Sequence, residues 1–177
     1  RFVLKATELK AFEESALPHL PRAEDEEPWP LSVLVRHDAD GLAADVEALE
    51  QFNDRHVDPS EGFAIADVVE IKGDSPASIE AALNHMPDEV FPFFELDWRG
   101  DIRGTLATIV GGDAGVKLRT GGLAAEDFPT LEATAKFLLD AASAEVPLKG
   151  TAGMHWPLRA PSDVCLLYTS PSPRDIS

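Results

Sequence analysis

The chain has 177 residues and a formal net charge of −17. That length suits one domain with a sizeable core, and no apolar run in the sequence is long enough to span a bilayer. Such acidity argues against a surface for nucleic acid or for anionic membranes, because both require clustered basic residues. We therefore expect neither partner.

Apolar periodicity and turn residues predict alternating helices and strands along the chain. The predicted helices cover residues 6–17, 40–52, 75–86, 102–110 and 129–142. The predicted strands cover residues 31–35, 66–72, 90–98, 116–119 and 146–151. Residues 53–62 are predicted to form a polar loop, and the last helix is predicted to bury a stripe made of Leu131, Ala135, Leu138 and Ala142.

Strands that alternate with helices over short connections are typical of an α/β fold with a parallel sheet. Two architectures fit: part of a (β/α)8 barrel with about five visible strands, or a doubly wound parallel sheet. The barrel is favoured by polar side chains spaced two apart at the strand ends, because alternate residues share one face of a strand. These pairs are Glu70 with Lys72, Glu95 with Asp97, Lys117 with Arg119, and Lys149 with Thr151.

In a barrel, the polar members of each strand meet at the mouth, while Val69, Phe94, Val116 and Leu148 face the helices. Active sites of such barrels lie at that end, so the mouth is the predicted site of an enzyme. The alternative is an ion-pair layer that caps the core without any function.

Two lysines at the mouth suggest amine chemistry. A nearby cation disfavours protonation of a lysine, and a neutral lysine can attack a carbonyl carbon to form a Schiff base. Lys117 and Lys149 lie on neighbouring predicted strands and are the candidate nucleophiles. His155 is a candidate general acid or base.

The stretches around these lysines resemble the motifs of the deoxyribose-phosphate aldolase family. Lys117, Thr120 and Gly121 are similar to its Lys-Thr-Ser-Thr-Gly strand, and Lys149 with Gly153 is similar to its second, glycine-followed lysine. The resemblance implies a Schiff-base lyase on a barrel. Both stretches also resemble bacterial proteins of unassigned activity that carry Lys-x-Arg-Thr-Gly-Gly and Lys-x-Thr-Ala-Gly-x-His.

The preferred hypothesis is therefore an aldolase-like enzyme that acts on a small anionic carbonyl compound without a cofactor. The residues assigned to catalysis are Lys117, Lys149, His155 and Glu95. The residues assigned to substrate binding are Arg119, Thr120, Gly121, Gly122, Glu70, Lys72, Asp97 and Thr151. The turn at residues 120–122 is included because backbone N–H groups of a glycine turn can hold a phosphate or carboxylate.

Two alternatives use the same mouth. Glu70, Glu95 and Asp97 could hold Mg²⁺ for proton abstraction, a layout similar to the enolase superfamily. A non-catalytic protein could bind an acidic metabolite there. The sequence does not specify an oligomeric state.

The two ends predict a fragment with a foreign tail. Residues 165–175 look like a sequencing adapter translated in frame, so we divide the chain into a barrel domain over residues 1–164 and a non-native disordered tail over residues 165–177. Arg1 in place of Met, with too few strands for a closed barrel, predicts that strands are missing at one or both ends. The absence of Cys before position 165 is compatible with the cytoplasm, where we expect the protein.

Overall fold

A computed structural model describes residues 1–122 and 124–152. Across these residues the chain forms six strands and five α-helices. The strands are β1 (Phe2–Lys5), β2 (Trp29–Leu34), β3 (Ala64–Lys72), β4 (Phe91–Glu95), β5 (Gly115–Arg119) and β6 (Leu148–Thr151). The helices are α1 (Leu9–Ala16), α2 (Ala39–His56), α3 (Pro76–Leu83), α4 (Arg103–Ile109) and α5 (Leu131–Ser143).

All six strands pair in parallel and follow one another in sequence order, from β1 to β6. A doubly wound sheet reverses its order at a switch point, and this sheet does not. Lys149 on β6 contacts Ser32 on β2 across the three intervening strands. Strands lie about 4.8 Å apart, so a flat sheet would hold these side chains out of reach. The sheet is a curled half-barrel, and the predicted partial barrel is confirmed.

The core lies between the outer face of this sheet and the helices. Alternate residues of the central strands point into it and are almost completely buried, among them Val69, Phe94, Val116 and Leu118. Ser75 caps α3 by accepting a hydrogen bond from the Ser78 N–H, and Pro76 is the first residue of the helix. Within the described ranges, no helix has the length and apolarity required to cross a membrane.

A β-bulge at Asp67 sets which side of β3 faces inward. Leu31 pairs with Ala66 while Ser32 pairs with Val68, so Asp67 is an extra residue in β3. Ala66 faces the core before the bulge, and Val69 faces it afterwards. Because the bulge shifts the alternation by one residue, it turns the Glu70 side chain away from the helices and into the half-barrel.

Asn53 of α2 supports this bulge. Its Nδ2 donates to the Ala66 carbonyl at 3.0 Å, and its Oδ1 accepts from the Ala66 N–H at 2.8 Å. Backbone groups left unpaired by a bulge are costly when buried, and one carboxamide satisfies both. Asn53 was predicted to lie in a loop, but α2 continues to His56.

Four other details of the fold differ from the sequence prediction. The edge strand β1 was not predicted, because four residues are too few to show a clear alternation of apolar and polar side chains. The predicted third strand was too long, since β4 ends at Glu95. On α5 the buried residues are Phe137 and Ala141, while Leu131 and Leu138 of the predicted stripe are exposed. Leu148 at the β6 edge is also exposed.

The two hydrogen bonds between Asn53 and Ala66 give a test of this architecture. We expect Asn53→Ala to lower the free energy of unfolding by about 2 kcal/mol, because it leaves the Ala66 N–H and C=O unpaired. Urea unfolding followed by circular dichroism measures it. Asn84→Ala, at the exposed C-cap of α3, is the matched control and should change stability by less than about 0.5 kcal/mol. Equal effects of the two substitutions would contradict a stabilising role for Asn53 at the bulge.

Candidate active site at the barrel mouth

A buried ionic cluster lies inside the half-barrel near the carboxyl ends of the strands. Its centre is Glu70, which is only 3% exposed. Lys117 Nζ lies 2.8 Å from Glu70 Oε2 and 2.6 Å from Glu95 Oε2. Lys149 Nζ lies 2.5 Å from Glu70 Oε1. Both candidate lysines therefore share one carboxylate, and the cluster of two lysines and two glutamates is charge-balanced.

Ser32 completes the cluster and was not predicted from sequence. Its hydroxyl donates to Glu70 Oε1 at 2.8 Å and accepts from Lys149 Nζ at 2.8 Å. Ser32 is fully buried in the middle of an otherwise apolar strand. A lone serine in the Trp29–Leu34 strand was the available signal, because a buried hydroxyl requires a hydrogen-bond partner.

Glu70 is held ionised by its neighbours. Burial on its own raises the pKa of the Glu70 carboxyl, but hydrogen bonds from Lys117, Lys149 and Ser32 outweigh burial and leave the pKa below its usual value. The resting state is therefore a carboxylate between two ammonium groups.

The floor beneath Lys149 is aromatic. The Phe93 ring lies with its centroid 5.6 Å from Lys149 Nζ. Gly115 makes room for it, because a Cβ at position 115 would lie 2.6 Å from the ring of Phe93. A glycine is required here by close approach rather than by backbone conformation. The apolar floor excludes water from one side of the lysine and strengthens its ionic contacts.

The two lysines differ in access. The Lys117 side chain is 6% exposed and is enclosed by two carboxylates. The Lys149 side chain is 21% exposed and contacts a single carboxylate. A small molecule entering from the mouth therefore reaches Lys149 more easily than Lys117.

An open cleft of about 410 Å³ lies beside the cluster, at the carboxyl ends of β3, β4 and β5. Three predicted binding residues line it together with Glu95: Lys72, Asp97 and Arg119. Within the described part of the chain, neither Lys72 nor Arg119 forms an ion pair with a carboxylate. Asp97 pairs with Arg99, whose guanidinium stacks on Trp98.

The predicted glycine turn after β5 is engaged in internal contacts. Arg119 Nε donates to the Gly121 carbonyl at 2.9 Å. Thr120 Oγ1 donates to the Ala152 carbonyl at 2.6 Å, and the Thr120 N–H donates to the Thr151 carbonyl at 2.8 Å. Gly122 lies against Asp127, whose carboxylate would collide with a Cβ. Thr120 and Thr151 therefore tie β5 to β6.

The remaining predictions concern residues outside the described ranges and the alternative of a metal site. His155 and Gly153 lie outside the described residues, as does the tail from 165 to 177. Among the residues that are described, no group of three or more His, Cys, Asp or Glu side chains is arranged to hold a metal ion. Glu70 uses both of its oxygens on ammonium groups, so Mg²⁺ would have to displace a lysine there.

Comparison with protein-family models, with curated proteins and with solved structures found no match to this chain. The arrangement of the mouth is therefore the basis for any proposal about function.

The lowered pKa of Glu70 predicts an acid-sensitive contribution to stability. A carboxyl whose folded-state pKa is depressed stabilises the fold above its unfolded-state pKa, which is 4.5 for this group, and that stabilisation is lost as the pH falls through the folded-state value. At neutral pH we expect Glu70→Gln to cost about 3 kcal/mol, because the buried Lys117 and the partly buried Lys149 lose their shared charge partner. The difference from the parent protein should shrink below pH 4.5.

Urea unfolding at a series of pH values, from about pH 7 to about pH 3, measures this difference. Glu14→Gln, at an exposed position on α1, is the control and should stay close to the parent throughout. A Glu70→Gln deficit that does not change over this range would contradict the assignment of an ionised, ion-paired Glu70.

Proposed function

We propose that this protein is a barrel-type enzyme that acts on a small anionic carbonyl compound and that Lys149 forms a Schiff base with the carbonyl carbon. One observation carries the proposal: two lysines share the buried carboxylate of Glu70 beside a cleft in which two of the three lining cations, Lys72 and Arg119, have no carboxylate partner in the described residues. The first feature supplies a reactive amine, and the second supplies a place for an anion.

Lys149 is the better nucleophile of the two. Lys117 is enclosed by Glu70 and Glu95, and both carboxylates contact its Nζ. Lys149 is more accessible and has a single acidic neighbour. In this proposal Lys117 remains an ammonium group and keeps Glu70 oriented.

The chemistry needs one proton acceptor, and Glu70 is the nearest. Its Oε1 lies 2.5 Å from Lys149 Nζ. One ammonium proton passes to Glu70 only transiently, because the lowered pKa of that carboxyl favours its return, and the lone pair left on Nζ forms the Nζ–C bond. The carbonyl oxygen leaves as water after receiving the proton back from Glu70 and a second proton from Nζ. The product is a protonated imine that keeps one proton on Nζ, and it withdraws electrons from the adjacent carbon–carbon bond.

The anionic group of the substrate is assigned to Lys72 and Arg119. A guanidinium with an ammonium beside it suits a carboxylate or a phosphate. Both side chains are exposed and line the same cleft as Glu95. Since small-molecule metabolites of this kind are cytoplasmic, a cytoplasmic location is part of the proposal.

Borohydride trapping tests the proposal. Hydride reduces an imine to a stable secondary amine, so a trapped adduct raises the mass of one lysine-containing peptide. We expect pyruvate, glyceraldehyde 3-phosphate or dihydroxyacetone phosphate to label Lys149, and the neutral analogues acetone and dihydroxyacetone to label it at least about tenfold less, because they lack the anion. Peptide mass spectrometry locates the adduct.

Three variants separate the roles. Lys149→Ala should abolish the adduct, and Lys136→Ala, at an exposed lysine of α5, should leave it unchanged. Lys72→Ala should reduce labelling by the anionic compounds but not by acetone. A folded protein that binds these anions without any adduct would be a binding protein, and turnover that requires Mg²⁺ would favour proton abstraction. Either result would overturn the Schiff-base proposal.

A further inference from the structure

A second concave surface lies at the opposite end of the sheet from the mouth. We call it the α2 groove. It has a volume of about 690 Å³ and runs between the C-terminal half of α2, the start of β3 and residues 87–90, which lead into β4. It shares no lining residue with the cleft at the mouth.

Several apolar side chains line this groove. Val57, which is 71% exposed, and Ile65, which is 36% exposed, line it together with Phe63 and Pro87. An exposed apolar side chain on a convex surface needs no explanation. Several apolar side chains gathered in one concavity are typical of a surface that binds a partner.

Carboxylates line the groove beside these apolar side chains. They belong to Glu47, Glu50, Asp54 and Glu89, and no lysine or arginine among the described residues lines the groove. In the portion of the chain that the structure describes, none of the four lies within ion-pair distance of a cation. The groove therefore combines an apolar surface with four carboxylates that are unpaired among the described residues.

The charge of the groove decides between the possible occupants. A second copy of this chain is a poor partner, because the chain has 32 acidic residues against 15 basic ones and would bring further negative charge. A segment that carries both apolar and basic side chains complements the apolar side chains and the carboxylates of the groove.

We propose that the α2 groove binds a short basic peptide segment of another protein. Apolar side chains of that segment pack on Val57 and Ile65, and its lysines or arginines pair with Glu50 and Asp54. This inference is independent of the proposed enzymatic function, because the groove and the mouth lie at opposite ends of the sheet.

Fluorescence anisotropy with two labelled probe peptides tests it. One probe alternates leucine and lysine, and the other alternates serine and lysine, so the two carry equal charge. We expect saturable binding of the leucine probe that is at least about tenfold tighter than binding of the serine probe. Equal affinities would show attraction to an acidic protein without a docking site, and absence of saturable binding of the leucine probe would also refute the proposal.

Charge reversal then locates the site. The double variant Glu50→Lys with Asp54→Lys should weaken binding of the leucine probe at least about tenfold. The double variant Glu24→Lys with Asp113→Lys makes the same change of net charge at exposed positions outside the groove and should change affinity less than about twofold. Circular dichroism and the melting temperature verify that both variants fold. Equal losses in the two double variants would overturn the proposal.

Discussion

The Glu70 carboxylate is the constraint on which the interior of this half-barrel depends. It receives an ammonium from β5, an ammonium from β6 and a hydroxyl from β2. Glu95 on β4 joins through Lys117. Side chains from five of the six strands therefore meet at one point, and the sheet must curl for them to do so. Buried charges of this kind are stable only when each has its partners, since an unpaired charge in the same place would cost several kcal/mol.

Different interactions stabilise the outer and the inner face of the sheet. The outer face is apolar and packs against the helices, which provides most of the stabilisation through burial. The inner face is polar at its mouth end, where directional contacts specify the geometry instead. The mouth also separates its cations into two kinds: Lys117, which is buried, and Lys149, which is partly buried, pair with Glu70, whereas Lys72 and Arg119 are exposed in the cleft. This division supports a role for the first pair in chemistry and for the second in anion binding.

The alternation of side chains between the two faces of each strand made much of this arrangement predictable from sequence. The alternation at residues 94–96 and 116–119 correctly separated inward from outward side chains.

Two features could not be obtained from this alternation. The bulge at Asp67 changes the parity of β3, and its trace in the sequence is the apolar pair Val68-Val69, which simple alternation does not produce. Ser32 was missed because one small polar residue does not break an apolar strand pattern, although its hydroxyl links Glu70 and Lys149. On α5, an apolar stripe was taken as a buried face, but helical periodicity alone does not say whether a neighbour covers that face.

A double-mutant cycle in unfolding free energy tests the shared carboxylate most directly. Glu70→Gln is combined in turn with Lys149→Met and with Lys117→Met, and each single and double variant is unfolded in urea at neutral pH. Because both lysines contact Glu70, we expect a coupling energy of about 1 kcal/mol or more in each pair. If Glu70→Gln and Lys149→Met were additive within about 0.3 kcal/mol, β6 would not reach the cluster on β3, and the description of a curled sheet with a shared site at its mouth would be wrong.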